Sequence, residues 1–366
     1  MNLEVNGTVY EAFTDIAVNI RMDALCREFS FGASRAGGAA LPFKGGEPCR
    51  VRDDADIIAT GFIERVDIAY SATSHTIQIG GRDKPADLLD STLRSISDFR
   101  PPISLKRCIE LALKDIGAAD IKVIDLANPE PFKTVVDLIA PEPGEGCFEF
   151  IEKLARKRKV LVTSDPDGNI VIARAGEDRS AGAIQNLAGA PDNNVLSSSA
   201  SYDMTARFYR YTFTSSLNLV ALANAGIVVP SHIVNQRGYA IDNSIRRSRQ
   251  LALQPESALA AKDNTARAEW EANVRQSRGK LYSCVLPGFR ESPGGALWGV
   301  NRLVRVRDEF VDIEGDMRIS AVAFSLDESA GSTTTITCMP PNAFTLSLSQ
   351  PVTDKTGTEF LIEGEG

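Results

Sequence analysis

Apolar and polar positions alternate with period two from Leu3 to about Lys84, the pattern of strands with one buried face. Breakers at Ala36-Gly37-Gly38, Pro42 and Gly45-Gly46 predict a long loop between strands. The alternation then runs through Arg50-Val51-Arg52-Asp53-Asp54, Gly61, Ile68 and Tyr70, a Ser/Thr/Ala turn, and Thr76-Ile77-Gln78-Ile79. Far downstream the same order returns: Arg305-Val306-Arg307-Asp308-Glu309, Gly315, Val322 and Phe324, a turn, and Thr335-Ile336-Thr337-Cys338. The lead-ins Arg27-Glu28-Phe29-Ser30-Phe31 and Arg210-Tyr211-Thr212-Phe213-Thr214 are also alike. The doubled order predicts two related β-domains.

Between the copies the periodicity changes. Ala86 to Arg94 reads as a short amphipathic helix. After Pro101-Pro102, Ser104 is placed to cap a helix over Leu105 to Ile116, with Gly117 as its stop. A short strand over Ile121 to Ile124 and a helix over Phe148 to Lys159 follow. Val160 to Thr163 and Ile170 to Ile172 then form a hairpin about Asp165-Pro166-Asp167-Gly168. Ser257 to Arg278 is a helical pattern carrying Ala266, Trp270 and Val274 in one stripe.

The expected fold class is therefore α+β and multidomain, with two similar β-barrel or β-sandwich-like domains around an α+β domain. The expected boundaries are residues 1–84 for the first β-domain and 85–175 for the α+β domain. A Gly/Ala/Asp/Asn-rich linker over 176–197 follows. The second β-domain covers 198–345, with a helical insertion at about 219–279, and 346–366 form a mobile tail.

Composition narrows the function classes. The 366 residues are 43% hydrophobic and 24% charged, ordinary for a globular protein of several domains. A net charge of -8 argues against non-specific nucleic-acid binding, which needs surplus Lys and Arg. No basic start leads into an apolar segment. The longest apolar candidate, Leu217 to Pro230, is broken by Asn218, Asn224 and Gly226. Neither a secretory signal nor a membrane span is expected, so synthesis in a cytoplasm is. The six cysteines form no C-x-x-C pair and read as reduced, buried small hydrophobes.

Catalytic constellations are missing from the sequence. The two histidines, His75 and His232, lie in no nucleophile context, and no nucleophile elbow, H-E-x-x-H helix or Walker loop occurs. Asp165-Pro166-Asp167-Gly168-Asn169 resembles the start of a calcium loop, but Gly176 stands where the twelfth-position Glu would be, so a hairpin turn is expected. Glu145, Glu149 and Glu152 could supply paired carboxylates, although a helix N-terminus favours acidic residues anyway. Arg156-Lys157-Arg158-Lys159 reads as a solvated helix end or a contact surface for an acidic partner or passing DNA. Arg246-Arg247-Ser248-Arg249 reads as an exposed cluster, with pairing to a neighbouring subunit's carboxylates as the alternative. Trp298 either caps the second β-core or sits at a subunit interface. No catalytic residue, metal or cofactor is assigned.

Three further stretches carry a family resemblance. Ile79-Gly80-Gly81-Arg82-Asp83 leads into Leu88-Leu89-Asp90. Gly144-Glu145-Gly146 precedes Phe148-Glu149-Phe150-Ile151, Leu154-Ala155-Arg156 and the Asp167-Gly168-Asn169 hairpin. Arg267-Ala268-Glu269-Trp270-Glu271, Val285-Leu286-Pro287-Gly288-Phe289 and Leu297-Trp298-Gly299-Val300-Asn301 follow in order. Together these resemble the Mu-like phage tail protein P family, the baseplate central hubs, over about Asn2 to Phe344.

The resemblance implies a structural protein of the virion tail baseplate, assembled in the bacterial host cytoplasm. It implies a homotrimeric ring whose two barrels per subunit match a six-fold tail tube to a three-fold membrane-piercing spike. Expected partners are further copies of the chain, the spike, the tube and other baseplate proteins, with DNA only as cargo in the channel. The alternatives are the hub of a contractile secretion machine and a tail-borne cell-wall glycosidase using Glu145 and Glu149. In a ring, Arg50, Arg52, Asp53, Arg305, Arg307, Asp308 and Trp298 are the expected interface residues.

Overall fold

A computed structural model of the chain describes residues 1–34, 44–71, 75–94, 98–134, 141–142, 144–214, 237–254 and 261–344. The Leu217–Pro230 stretch, His232, the start of the expected helix at Ser257 and the 346–366 tail lie outside these residues.

The first β-domain is built from β1 (Asn2–Val5), β2 (Thr8–Tyr10), β3 (Asp15–Arg21), β4 (Glu28–Ser34), β5 (Pro48–Asp53), β6 (Asp56–Tyr70) and β7 (His75–Asp83). They hydrogen-bond in the order β3-β4-β7-β6-β5-β1-β2. The long β6 serves two neighbours. Residues Asp56 to Phe62 pair with β5, and Gly61 to Tyr70 pair with β7, with a bulge between Ile63 and Arg65. A bulge adds one residue on one strand and sharpens the local bend, which curls the sheet into a barrel-like form. At Gly61 the strands approach so closely that a Cβ would lie 2.0 Å from the Arg82 carbonyl oxygen.

The α+β domain contains α1 (Ala86–Asp90), α2 (Leu105–Ile116), β8 (Val123–Asp125), α3 (Cys147–Arg158), β9 (Leu161–Ser164) and β10 (Ile170–Ala173). Its sheet has the order β8-β10-β9, and its core gathers Leu88, Ile109, Leu113, Phe132, Phe150 and Ile151. The expected caps form. Ser104 accepts a hydrogen bond from the Arg107 amide at 3.1 Å, and Gly117 is left-handed at φ 90°. The first helix stops at Asp90, four residues short of the expected Arg94, where Thr92 bridges to Gly146 instead. The Asp165–Asn169 segment is a hairpin turn, with the Asp165 carboxylate turned back onto the Asn169 amide at 2.8 Å.

The second β-domain uses β11 (Arg179–Asn186), β12 (Ser197–Tyr202), β16 (Lys280–Pro287), β17 (Leu303–Asp308), β18 (Ile313–Asp327) and β19 (Gly331–Met339). Its strand order is β12-β16-β19-β18-β17-β11. The segment expected as a linker is thus partly a strand: β11 runs parallel to β17, with Ile184 fully buried. Small and polar residues concealed it, because an edge strand needs few large side chains.

A separate sheet, β14-β13-β15, is formed by β13 (Arg210–Thr214), β14 (Arg237–Ile241) and β15 (Gln250–Leu253). It packs on α4 (Ala261–Arg278) around Tyr211, Phe213, Ala240, Ala268 and Ala272. Two strands therefore lie where a helical insertion was expected. The Arg210–Thr214 lead-in belongs to this small sheet and not to the second barrel. The true counterpart of β4 is β16, the strand that pairs with β19.

Candidate assembly interface

The two repeat modules correspond strand for strand. Strands β5, β6 and β7 have 6, 15 and 9 residues, and so do β17, β18 and β19. The bulge between Ile63 and Arg65 has its counterpart between Ile319 and Ala321. Hydrogen-bond register fixes the equivalences. Val66 faces Ile79 as Val322 faces Ile336, and Val51 faces Ala59 as Val306 faces Gly315. The sequence alignment of Ile68 and Tyr70 with Val322 and Phe324 is therefore two residues off; Val66 and Ile68 are the counterparts. A slip of two keeps every side chain on its face, which is why the pattern hid it. Gly61 and Gly315 are not equivalent, because Gly61 pairs with Cys49, whose counterpart Val304 pairs with Met317.

The barrel-like domains join each other along strand edges inside one chain. Strand β3 pairs antiparallel with the second half of β18, from Ala321 opposite Arg21 to Asp327 opposite Asp15. This merges both domains into one 13-stranded sheet. Pairing an edge removes the row of open backbone donors and acceptors that invites aggregation. A second contact is ionic: Arg290, on the loop after β16, reaches Asp53 at 3.0 Å and Asp56 at 2.7 Å in the β5–β6 turn.

The expected interface residues are distributed unevenly. Arg50 and Arg52 both meet Glu4 of β1, at 3.6 and 3.0 Å. Asp53 binds the N-terminal amine at 3.5 Å as well as Arg290. Arg305 and Arg307 share Glu314, at 3.5 and 3.9 Å. Asp308 is 1% exposed and accepts from the Tyr282 hydroxyl at 2.9 Å and the Asn186 amide at 3.1 Å. Trp298 is 3% exposed within the shared core, against β11 at Gly182. Asp308 and Trp298 are thus interior groups of the second barrel. The four arginines make ion pairs within the chain.

The motif residues of the α+β junction have visible work. Arg82 forks between Glu64 at 2.7 Å and Asp90, tying α1 to the barrel. Asp83 is fully buried and accepts from the Ser164 hydroxyl, while Arg27 donates to the carbonyls of Ser164 at 3.0 Å and Ile58 at 2.7 Å. Burial pushes the Asp83 carboxyl up to about 7, against the opposing pull of its Ser164 hydrogen bond. Sequence reading missed Arg318, a fully buried cation. It donates to Pro341 O at 3.0 Å, Gly176 O at 2.5 Å and Asn301 Oδ1 at 3.3 Å, fastening the chain's entry into the second barrel. The only sequence signal was an Arg at a position whose strand neighbours are apolar.

The carboxylates considered for catalysis are engaged elsewhere. Glu145 is buried, bound by Lys153 Nζ at 2.5 Å and by the Glu142 amide at 2.9 Å. Lys153 also holds Glu149 at 3.5 Å, and Glu152 pairs with Arg156 at 3.5 Å. In the basic cluster, Lys157 is buried and Arg158 lies 4.0 Å over the Phe132 ring. Arg249 of the second cluster donates to the Met204 carbonyl at 2.8 Å. All six cysteines are buried thiols, and burial pushes Cys49, Cys108 and Cys284 up to about 12. No described helix is long and apolar enough to cross a membrane. No cluster of three metal-ligating side chains occurs among the described residues.

Three family models match the chain. They are Mu phage baseplate assembly protein GpP-like, N-terminal, over residues 1–83; baseplate hub protein gp44-like, second domain, over 118–174; and Mu phage baseplate assembly protein GpP, fourth domain, over 260–347. Baseplate hub protein gp44 of Escherichia phage Mu is 24% identical over 362 residues, covering 98% of this chain and 92% of the relative. The 43 kDa tail protein of prophage MuSo2 from Shewanella oneidensis superposes with a TM-score of 0.78 at 27% identity, over 94% of this chain and 98% of that one. The fold alone is shared with the E. coli c3393 protein, a type VI secretion component. That match has a TM-score of 0.57 at 10% identity, over 96% and 79% of the two chains. With both barrel-like domains matched by Mu phage baseplate assembly protein models and the α+β domain by a baseplate hub model, the chain belongs to the Mu-type baseplate hub family and is a structural, β-rich hub protein of a phage tail baseplate.

Proposed function

We propose that three copies of the chain form a ring that adapts a six-fold tail tube to a three-fold spike. The observation that carries this reading is the equivalence of the two barrels, down to strand length, bulge and register. Two equivalent lobes per subunit, tripled, present six similar lobes to one side while retaining three-fold symmetry on the other. The spike, the tube and other baseplate proteins are the partners, and DNA is only cargo in the channel. Assembly takes place in the host cytoplasm, and the protein works without catalysis or cofactor. Native mass spectrometry of the full chain at micromolar concentration should give a three-chain mass. A monomer would overturn the ring.

The fold shared with a type VI secretion component favours one second reading, the hub of a contractile secretion machine. Neighbouring genes decide between them. Capsid genes beside sheath and tube genes support the phage tail, and sheath and tube genes without them support the secretion machine.

A further inference from the structure

The two barrels are equivalent, but their edges are not equally covered. The second half of β18 is covered by β3 of the same chain. The corresponding edge of β6, from Arg65 to Tyr70, pairs with β7 on one side and with no strand on the other among the described residues. Burial registers the difference. Phe324 is 1% exposed, whereas its counterpart Ile68 is 58% exposed. Leu326 is half-buried, whereas its counterpart Tyr70 is 82% exposed.

A matching open edge lies on β12, an end strand of the same sheet. Strand β12 pairs with β16 as β3 pairs with β4, and its outer edge has no strand beside it among the described residues. Register makes Val18 the counterpart of Ala200, since Val18 faces Phe29, Ala200 faces Tyr282, and these two face Gly81 and Cys338. The molecule therefore carries one completed β18–β3 junction and both halves of a second.

We infer that the Arg65–Tyr70 edge of β6 receives the β12 edge of a second copy, antiparallel and in the register of the β18–β3 junction. Transferring that register sets Val66 opposite Tyr202, Ile68 opposite Ala200 and Tyr70 opposite Ser198. Each pair couples a larger side chain with a smaller one, which lets them interdigitate across the junction. One residue further, Arg65 comes opposite Asp203, a pairing of opposite charges. The contact is heterologous: each copy offers β6 to one neighbour and β12 to the other, so repetition closes a ring or extends without end. This deepens the ring reading and rests on it.

Oxidative cross-linking of the full chain tests the register. Opposed Cβ atoms in an antiparallel pair lie about 4.5–5.5 Å apart, close enough for a disulfide after small adjustment. The double variant Ile68→Cys/Ala200→Cys should form covalent dimers and trimers on a non-reducing gel, with the ladder ending at three chains. Each single variant should stay unlinked, and an equimolar mixture of the two singles should link. The control Ile68→Cys/Ser199→Cys puts one thiol on the opposite face and should lose most of the product. Both altered β6 and β12 positions are on open edges, and circular dichroism verifies folding before oxidation. If native mass spectrometry shows trimers but the in-register pair does not link, or links no better than the control, the strand pairing is overturned and the ring stands. Monomers in both measurements overturn both.

Discussion

The first and second barrel-like domains are the same device in two surroundings. Both have a bulged 15-residue strand shared between two neighbours. In the second barrel that strand is covered by β3, with Phe324 buried and Leu326 half-buried; in the first, the same positions carry exposed Ile68 and Tyr70. The flanks differ too: β1 runs antiparallel to β5, whereas β11 runs parallel to β17. Burial of a strand is thus decided by what the rest of the chain brings beside it, not by the strand's own pattern.

The largest expected break in this comparison is on the second barrel. Arg318→Ala should destabilise the protein by about 3–5 kcal/mol in urea titration, because several buried acceptors lose their donor together. A cost under about 1 kcal/mol would mean those carbonyls find other partners. The corresponding break in the first barrel is Gly61→Ala, whose Cβ would strike the Arg82 carbonyl. It should cost about 1–3 kcal/mol and lower hydrogen-exchange protection along β6 and β7 before that of β18 and β19.

The α+β junction adds a pH dependence to the first barrel. Asp83 ionises near its ordinary value of about 4 when unfolded but at about 7 when folded. Between these limits the folded state holds the extra proton. Its contribution is present below pH 4 and lost as pH rises towards 7. Asp83→Asn should flatten that decline in thermal melts from pH 4 to 8, and an unchanged slope would remove Asp83 as its cause.

Smaller effects belong to the ion pairs. Arg290→Ala should weaken the contact between barrels by about 1 kcal/mol, less at high salt. Arg52→Glu, facing Glu4, should cost up to about 1 kcal/mol of monomer stability, and Arg307→Glu, facing Glu314, no more. Trimer loss exceeding the loss of monomer stability would return these arginines to the subunit interface.

Much of this architecture was legible in the sequence. Period-two alternation exposed the doubled module, and Ser104 and Gly117 marked the ends of α2. What escaped was whatever depends on distant partners. Strand β11 looked like a linker because a parallel edge strand needs only Ile184 in the core. Asp308 looked like a surface candidate, and Trp298 could be read either as a core cap or as an interface residue, because burial is set by Tyr282 and β11, which no local pattern reveals. The two-residue slip in aligning the copies was invisible because it preserves the faces. The open edges of β6 and β12, the strongest interface candidates, could be recognised only against the completed β18–β3 junction.

The central claim is that two equivalent barrels per chain make six equivalent lobes in a three-chain ring. Electron microscopy of the purified full-length chain, averaged along the ring axis without imposed symmetry, tests this most directly. Six lobes of similar density around a central channel are the predicted result. Discrete monomers, open filaments, or a ring with three dissimilar lobe pairs would contradict it.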